Sequence, residues 1–402
     1  MKVLILGMGL QGKAVVHDLE ESSLITDIIV ADQDLAMVEK YISQKGLKKT
    51  RGYYVNADVN DRLDATIRET GAQLVICMIP PDYGFIVAQA ALKAGIPFVS
   101  SSYTGRILEL DGEARSRGIS ILPEMGMDPG IDLILGRLAI DELDEVKGLY
   151  SYGAGLPEPV CAADNPLNYK ITWTFNGVLK AYKRPAQFLK NGEVVSVPGE
   201  KIFRKEYIHD IYVPELGILE AYPNGDAVHY ISVFKLSENI QNMGRFALRW
   251  PGHSQFWRII AELGFLDDTP EKIAGADISP RQFLVEHLTP RLQFRENERD
   301  IVILLVKAWG IKSGKKVNVT YSLTDYRDLS TGLFAMNRTV GFTASIGAQM
   351  ILSGKIQQPG VLSPALHVPP QILIEELSRR GMQVRRQCGE INDNETEPTA
   401  GS

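Results

Sequence analysis

Gly7-Met8-Gly9-Leu10-Gln11-Gly12 follows an apolar run, Val3–Leu6, and opens a segment in which Leu10, Ala14, Val15 and Leu19 fall on one helical face. Glycines at that spacing between a strand and a helix build a phosphate cradle. Gly7 permits the tight turn, Gly9 lets a pyrophosphate approach the main chain, and Gly12 lets helix and strand pack closely. The N–H groups around Leu10 and Gln11 then face the phosphates. Asp32 stands 20 residues beyond Gly12 at the end of the next apolar run. A carboxylate there hydrogen-bonds ribose hydroxyls and repels a 2′-phosphate, so NAD is the expected cofactor. Asp32 can alternatively cap a helix before Leu35, a task that Asp34 can also perform. Asn56-Ala57-Asp58 and Met78-Ile79-Pro80-Pro81 end further runs. Asp58 is expected near the adenine, with Met78, Ile79 and Pro80 along the nicotinamide ribose.

Such a cradle needs a parallel sheet behind it. Residues 1–122 alternate β-branched runs with helix-period segments, which predicts strands at Val3–Leu6, Ile28–Ala31, Tyr53–Asn56, Leu74–Met78, Pro97–Ser100 and Ile119–Leu122. A helix over Phe85–Ala94 is closed by Gly95. After Asp128-Pro129-Gly130 an apolar helix, Ile131–Ile140, ends this rhythm. The later strands, such as Asp300–Trp309 and Lys316–Thr324, are longer and alternate with polar residues, predicting a mixed or antiparallel second sheet. Thr339–Leu352 is rich in small residues, and a helix entered at Pro369-Pro370 leaves at Gly381; both are expected to return to the first domain. The fold class is therefore α/β: a Rossmann-type doubly wound parallel sheet over 1–128, completed by 339–385. A mixed-sheet α+β domain over 129–338 is inserted before the C-terminal helices, and a polar, disordered tail covers 389–402.

The 402 residues carry 43 Lys+Arg against 49 Asp+Glu, a formal charge of −6. A chain this mildly acidic is not expected to bind nucleic acid or an anionic membrane surface, since both need a basic field. Cys77, Cys161 and Cys388 are too scattered for a disulfide framework or a zinc site. The six histidines show no chelating pair, so no metal is expected. No apolar stretch reaches about 18 residues and no segment reads as a signal peptide. The expectation is a soluble, cytoplasmic protein.

Ser101-Ser102-Tyr103, the run Met125–Asp132, Gly155-Leu156-Pro157, and the run from Asp164-Asn165-Pro166-Leu167 through Tyr169-Lys170 and Trp173 to Gly177-Val178-Leu179 resemble the saccharopine dehydrogenase family. The last run is most similar to its glutamate-forming saccharopine reductases. Arg249-Trp250-Pro251-Gly252-His253 resembles the Arg-aromatic-x-Gly-His run of the related lysine 6-dehydrogenases. The resemblance implies a pyridine-nucleotide enzyme acting on the C–N bond of a lysine-derived amino acid. It also implies a Rossmann domain formed by both chain ends, and a homodimer made through the inserted domain. The chain departs from the reductases at Gly153, where they commonly carry a cysteine, and at Gly225, where they carry an arginine for a substrate carboxylate. Asn224, beside Gly225, is implied in substrate binding. The expected activity is an NAD-dependent, glutamate-forming saccharopine dehydrogenase yielding 2-aminoadipate 6-semialdehyde. The alternatives are lysine 6-dehydrogenase, which releases ammonia, and a non-catalytic NAD-binding redox sensor.

Oxidising a C–N bond by hydride transfer requires a neutral amine, yet an alkyl ammonium keeps its proton at pH 7. The site must therefore take or relay a proton, and must anchor a carboxylate. Asp128 can hold the ammonium, or cap the helix that follows Pro129. His253, set on a turn by Pro251-Gly252, can exchange a proton near neutrality. Tyr103, at a strand end after Ser100-Ser101-Ser102, can orient the amine or relay its proton. Arg249 and Lys170 are the cations for the carboxylate, with Arg favoured for bidentate geometry, and Trp173 can wall the aliphatic chain or pack in the core.

Overall fold

Four buried apolar residues in a row, Val3 to Leu6, mark a strand covered on both faces. They belong to β1 (Lys2–Leu6), which is followed by helix α1 (Leu10–Glu21), β2 (Asp27–Asp32), helix α2 (Leu35–Lys45), β3 (Thr50–Tyr54), β4 (Val75–Cys77), β5 (Phe98–Ser100) and β6 (Ser120–Leu122). The computed structural model describes residues 1–56, 63–237 and 239–391. In it these strands lie side by side in the order β3-β2-β1-β4-β5-β6, with Gly360–Val361 beyond β6, and every pairing is parallel. The order reverses between β1 and β4, and in such sheets a dinucleotide binds beyond the carboxyl ends of the strands at that switch.

The chain divides into two compact units, one of Met1–Ile134 with Asn337–Met382 and the other of Leu135–Met336 with the chain from Gln383. Within the first, the helix Ala335–Leu352 approaches α1 so closely that a Cβ on Gly341 would stand 2.7 Å from the Ala14 Cβ. The small residues of that segment serve this packing. Cys77 is buried in β4 and burial pushes its thiol up to about 12, which makes it a core residue and not a nucleophile. β3 starts three residues before the predicted Tyr53, with Thr50 paired to Ile28. As the edge of the sheet it needs no continuous apolar run. Gly52 marks where α2 crosses it, since a Cβ there would lie 2.6 Å from Leu35 Cδ1.

The second unit is built on a mixed sheet. Its main path runs His209–Val213, Gly217–Pro223, Asn242–Arg249, Glu145–Pro157, Asp300–Lys312, Lys315–Tyr326, Val384–Glu390. Along that path only the pair Asn242–Arg249 with Glu145–Pro157 is parallel. Asp300–Lys312 does not alternate as expected: its first seven residues are all buried. The last strand also departs from the expected boundaries, which split it between a first domain ending at 385 and a tail from 389. Val384–Glu390 pairs with Lys315–Tyr326 in the second sheet instead. It is an exposed, polar edge strand with no apolar stripe to announce it. Residues 392–402 of the expected tail lie outside the described residues. Among the described residues no helix is long and apolar enough to cross a membrane, and no group of His, Cys, Asp or Glu is placed to hold a metal ion.

Candidate functional site

Gly7 has φ +94°, and a Cβ on it would stand 2.8 Å from Ile79 Cγ2 and 3.0 Å from the Met78 carbonyl. The fingerprint is thus pressed against the end of β4. A Cβ on Gly12 would meet the Gly7 carbonyl at 2.1 Å, so only glycine closes this turn. Gly9 is different: nothing lies within 4 Å of its Cβ position, α1 starts on it without a side-chain cap, and Leu10 is exposed. Open space before an uncapped helix N-terminus suits a pyrophosphate, and Gly9, Leu10 and Gln11 fit that group.

Asp32 ends β2. Its carboxylate accepts the Met8 N–H at 2.8 Å and the Asp34 N–H at 3.0 Å. Asp34, not Asp32, caps α2, accepting the Met37 N–H at 2.9 Å. Asp32 is therefore fixed to the fingerprint turn, with its charge at the carboxyl edge of the sheet. Met78 and Ile79 are half-buried and Pro80 exposed at the end of β4, where the Met78 N–H bonds the Leu6 carbonyl at 2.8 Å. Asp58 lies outside the described residues.

The same edge carries Tyr103 and Asp128, beyond β5 and β6. Tyr103 is partly exposed on a loop held by Glu124, whose N–H bonds the Ser102 carbonyl at 2.9 Å and whose carboxylate accepts the Thr104 N–H at 3.2 Å. Asp128 is half-buried in the loop before the helix Ile131–Asp141. The first four N–H groups of that helix go to the carbonyls of Gly126, Met127 and Gly130, and Asp132 accepts the Gly130 N–H at 2.8 Å. The N–H groups at the start of this helix thus have main-chain acceptors.

In the second unit, Arg249 ends the strand Asn242–Arg249 and is buried. Its guanidinium lies over the Tyr169 and Tyr222 rings at 5.8 and 5.7 Å, and Nη1 bonds the Leu248 carbonyl at 2.8 Å. Burial disfavours its charge, but the phenols of Tyr222, Tyr182 and Tyr169 more than offset this, so it stays cationic. Arg249 Nε, Tyr169 Oη, Ser254 Oγ and Trp257 Nε1 are all buried without a hydrogen-bond partner among the described residues. Native interiors rarely leave several polar atoms unsatisfied in one place unless a ligand or water completes them. A small cleft lined by Pro166, Leu167, Asn168, Pro251, Gly252, His253, Phe256 and Trp257 borders this cluster.

His253 lies at its centre, but in a different state from the one expected. It is the first residue of the helix His253–Glu262, not part of a free turn, and it is buried. Gly252, at φ +93°, precedes it, and Glu220 from the neighbouring strand accepts the N–H groups of Gly252, at 3.0 Å, and of Ser254. His253 Nε2 and the Tyr182 hydroxyl are 2.8 Å apart, and the Tyr222 ring stacks on the imidazole at 6.4 Å. Burial, and then the Arg249 charge, hold its pKa well below 6.5. His253 is a neutral partner of Tyr182 and does not exchange protons near neutrality.

Two predictions follow from burial of this kind. His253→Gln should leave the pH profile of kcat/KM between about 6 and 8 unchanged, since no histidine titration there comes from this residue; a flattened profile would contradict the neutral assignment. The stability of the whole protein should fall in acid. Burial, with Lys190 and Lys307 nearby, brings His209 down to about 4, so between about 6.5 and 4 the unfolded chain binds a proton that the folded one refuses. Stability is therefore present above about 6.5 and is lost toward 4, by about 3 kcal/mol for this one group. Denaturant melts of His209→Gln across that range should show a shallower loss.

Lys170 does not serve as the expected free cation. It is buried, with Nζ 2.6 Å from Glu298, so its charge is already neutralised. Trp173 is half-buried with its ring folded against Gly177, where a Cβ would stand 2.3 Å from Cζ3. Asn224 is half-buried and its N–H bonds the Arg245 carbonyl at 2.8 Å. Sequence inspection missed the tyrosine cage of 169, 182 and 222 and the role of Glu220. Glu220 had one readable signal, an acidic residue inside the apolar strand Gly217–Pro223.

Comparison with known proteins agrees with this architecture. The family model described as the saccharopine dehydrogenase NADP binding domain matches residues 3–122, and that of the saccharopine dehydrogenase C-terminal domain matches residues 126–382. The NADP(+), L-glutamate-forming saccharopine dehydrogenase of Pyricularia oryzae is 29% identical over 94% of this chain and 96% of its own. That of Schizosaccharomyces pombe is 28% identical over 98% and 99%. The solved apo structure of the L-Glu-forming saccharopine dehydrogenase of Saccharomyces cerevisiae superposes with a TM-score of 0.83 at 25% identity, covering 96% of this chain and 99% of that one. With these two models matching residues 3–122 and 126–382, the chain belongs to the saccharopine dehydrogenase family.

Proposed function

We propose that the protein oxidises the secondary amine of saccharopine with NAD, releasing L-glutamate and 2-aminoadipate 6-semialdehyde. The observation that carries this is Arg249: a buried cation in a cage of phenols, with an Nε that no described residue satisfies, is suited to a substrate carboxylate. The relatives whose names specify this reaction span nearly the whole chain, which supports the substrate.

Gly9, Leu10, Gln11 and Asp32 would hold the dinucleotide, which when bound supplies the two-electron acceptor. Arg249 orients the amino acid by its carboxylate. Asp128 holds the substrate ammonium and takes its proton, and Tyr103 relays it, so that the nitrogen lone pair is available as the C–N bond is oxidised. Water then adds to the imine carbon, and collapse of the adduct breaks the C–N bond to release the aldehyde and the amine of glutamate. A homodimer and a cytoplasmic place of action belong to the same proposal, supported by the family resemblance and by three scattered thiols.

Cofactor choice is where this chain is proposed to differ from the NADP(+)-named relatives. A fixed carboxylate at the end of β2 disfavours a 2′-phosphate, so kcat/KM should be higher with NAD. Asp32→Ser combined with Gln33→Arg should move the preference toward NADP. Equal kcat/KM for both cofactors in the parent protein would remove Asp32 as the discriminator. The reaction itself is tested by following reduced nicotinamide with saccharopine and lysine in parallel, each with NAD and NADP. Saccharopine with NAD is expected to give the largest rate, and turnover of lysine alone would assign the protein to the ammonia-forming reaction.

A further inference from the structure

Saccharopine carries a glutamate moiety on its amine, so a site that selects it over lysine needs a second anion anchor besides Arg249. Two loops leave the tyrosine cage toward the surface. One continues from Tyr182 to Arg184 and the other from Tyr222 to Gly225. They are tied together: the Gln187 N–H bonds the Gly225 carbonyl at 3.0 Å and the Ala227 N–H bonds the Gln187 carbonyl at 2.8 Å. The Tyr182 and Tyr222 rings at their roots are 6.1 Å apart. Gly225 has φ +70°, and its missing side chain leaves space that Arg184 uses, since a Cβ there would lie 3.7 Å from Arg184 Cδ. The Arg184 stem thus lies along Gly225, and the residue is exposed. Burial raises the Tyr222 phenol, and the charges of Arg249 and, less, Arg184 work against that rise.

We propose that Arg184, lying over Gly225 at the rim of the tyrosine cage, is the specificity-determining anchor for a second carboxylate and selects an amine substituted with a dicarboxylic acid over a free amine. This rests on the saccharopine assignment above and names the residue that enforces it. Arg249 holds one carboxylate inside the cage, and Arg184 meets the other at the solvent edge, where a guanidinium fork matches a carboxylate.

The test uses the full chain with Arg184→Gln and Arg184→Lys. Arg184→Gln is expected to raise KM for saccharopine by about 10- to 100-fold, the range of a charge-assisted hydrogen bond, with kcat changing far less. Calorimetric binding of L-glutamate should weaken by a similar factor and binding of L-lysine should not, while Arg184→Lys recovers part of both losses. Unchanged saccharopine KM and unchanged glutamate affinity in Arg184→Gln would overturn the assignment. A parent protein that fails to oxidise saccharopine, but whose glutamate binding still depends on Arg184, would refute the reaction and leave the anchor standing.

Discussion

Asp128→Asn is expected to fold with the stability of the parent and to turn over about a hundredfold more slowly, the usual loss when an acid–base group is removed. Amide and carboxylate are nearly isosteric, so packing in the half-buried loop before Ile131 is retained. Helix capping is no confounder either, because the N–H groups at the start of that helix already bond to the carbonyls of Gly126, Met127 and Gly130. What the amide cannot do is hold an ammonium by charge or accept its proton. A melt superimposable on the parent with full turnover would transfer the proton chemistry to Tyr103, and loss of stability in step with loss of rate would give Asp128 a structural role.

Arg249→Met should separate binding from folding. The guanidinium is buried among Tyr169, Tyr182 and Tyr222, which offset the desolvation of its charge, while its Nε has no partner among the described residues. The melting temperature is expected to fall modestly, since Tyr182 and the Leu248 carbonyl lose a donor while the cost of burying the charge is removed with it. The substrate meanwhile loses a bidentate carboxylate contact, for which a rise in KM of about a hundredfold is expected. NAD affinity, measured by fluorescence titration, should not move, since the fingerprint lies in the other unit. An unchanged KM would show that the carboxylate is held elsewhere.

The parallel sheet was legible because its inner strands are buried on both faces and so read as uninterrupted apolar runs, and the fingerprint glycines because their spacing is a steric requirement. Strands at the margins were legible only in part. Thr50–Tyr54 and Val384–Glu390 are held by main-chain pairing along one edge, which leaves little trace in side-chain type. In the candidate site, sequence inspection singled out Arg249, Lys170, Trp173 and His253 from their motifs, but their chemical states depend on residues distant in sequence. Lys170 is neutralised by Glu298, 128 residues away, and His253 is held neutral by burial and by Arg249. Arg184 became visible only when Gly225 was seen to make room for it.

The glutamate-forming reaction is tested most directly by measuring, in one vessel containing the protein, saccharopine and NAD, how much L-glutamate and how much ammonia accompany each equivalent of reduced nucleotide. One equivalent of glutamate and no ammonia are predicted. Reduced nucleotide formed without an equivalent of glutamate would contradict it.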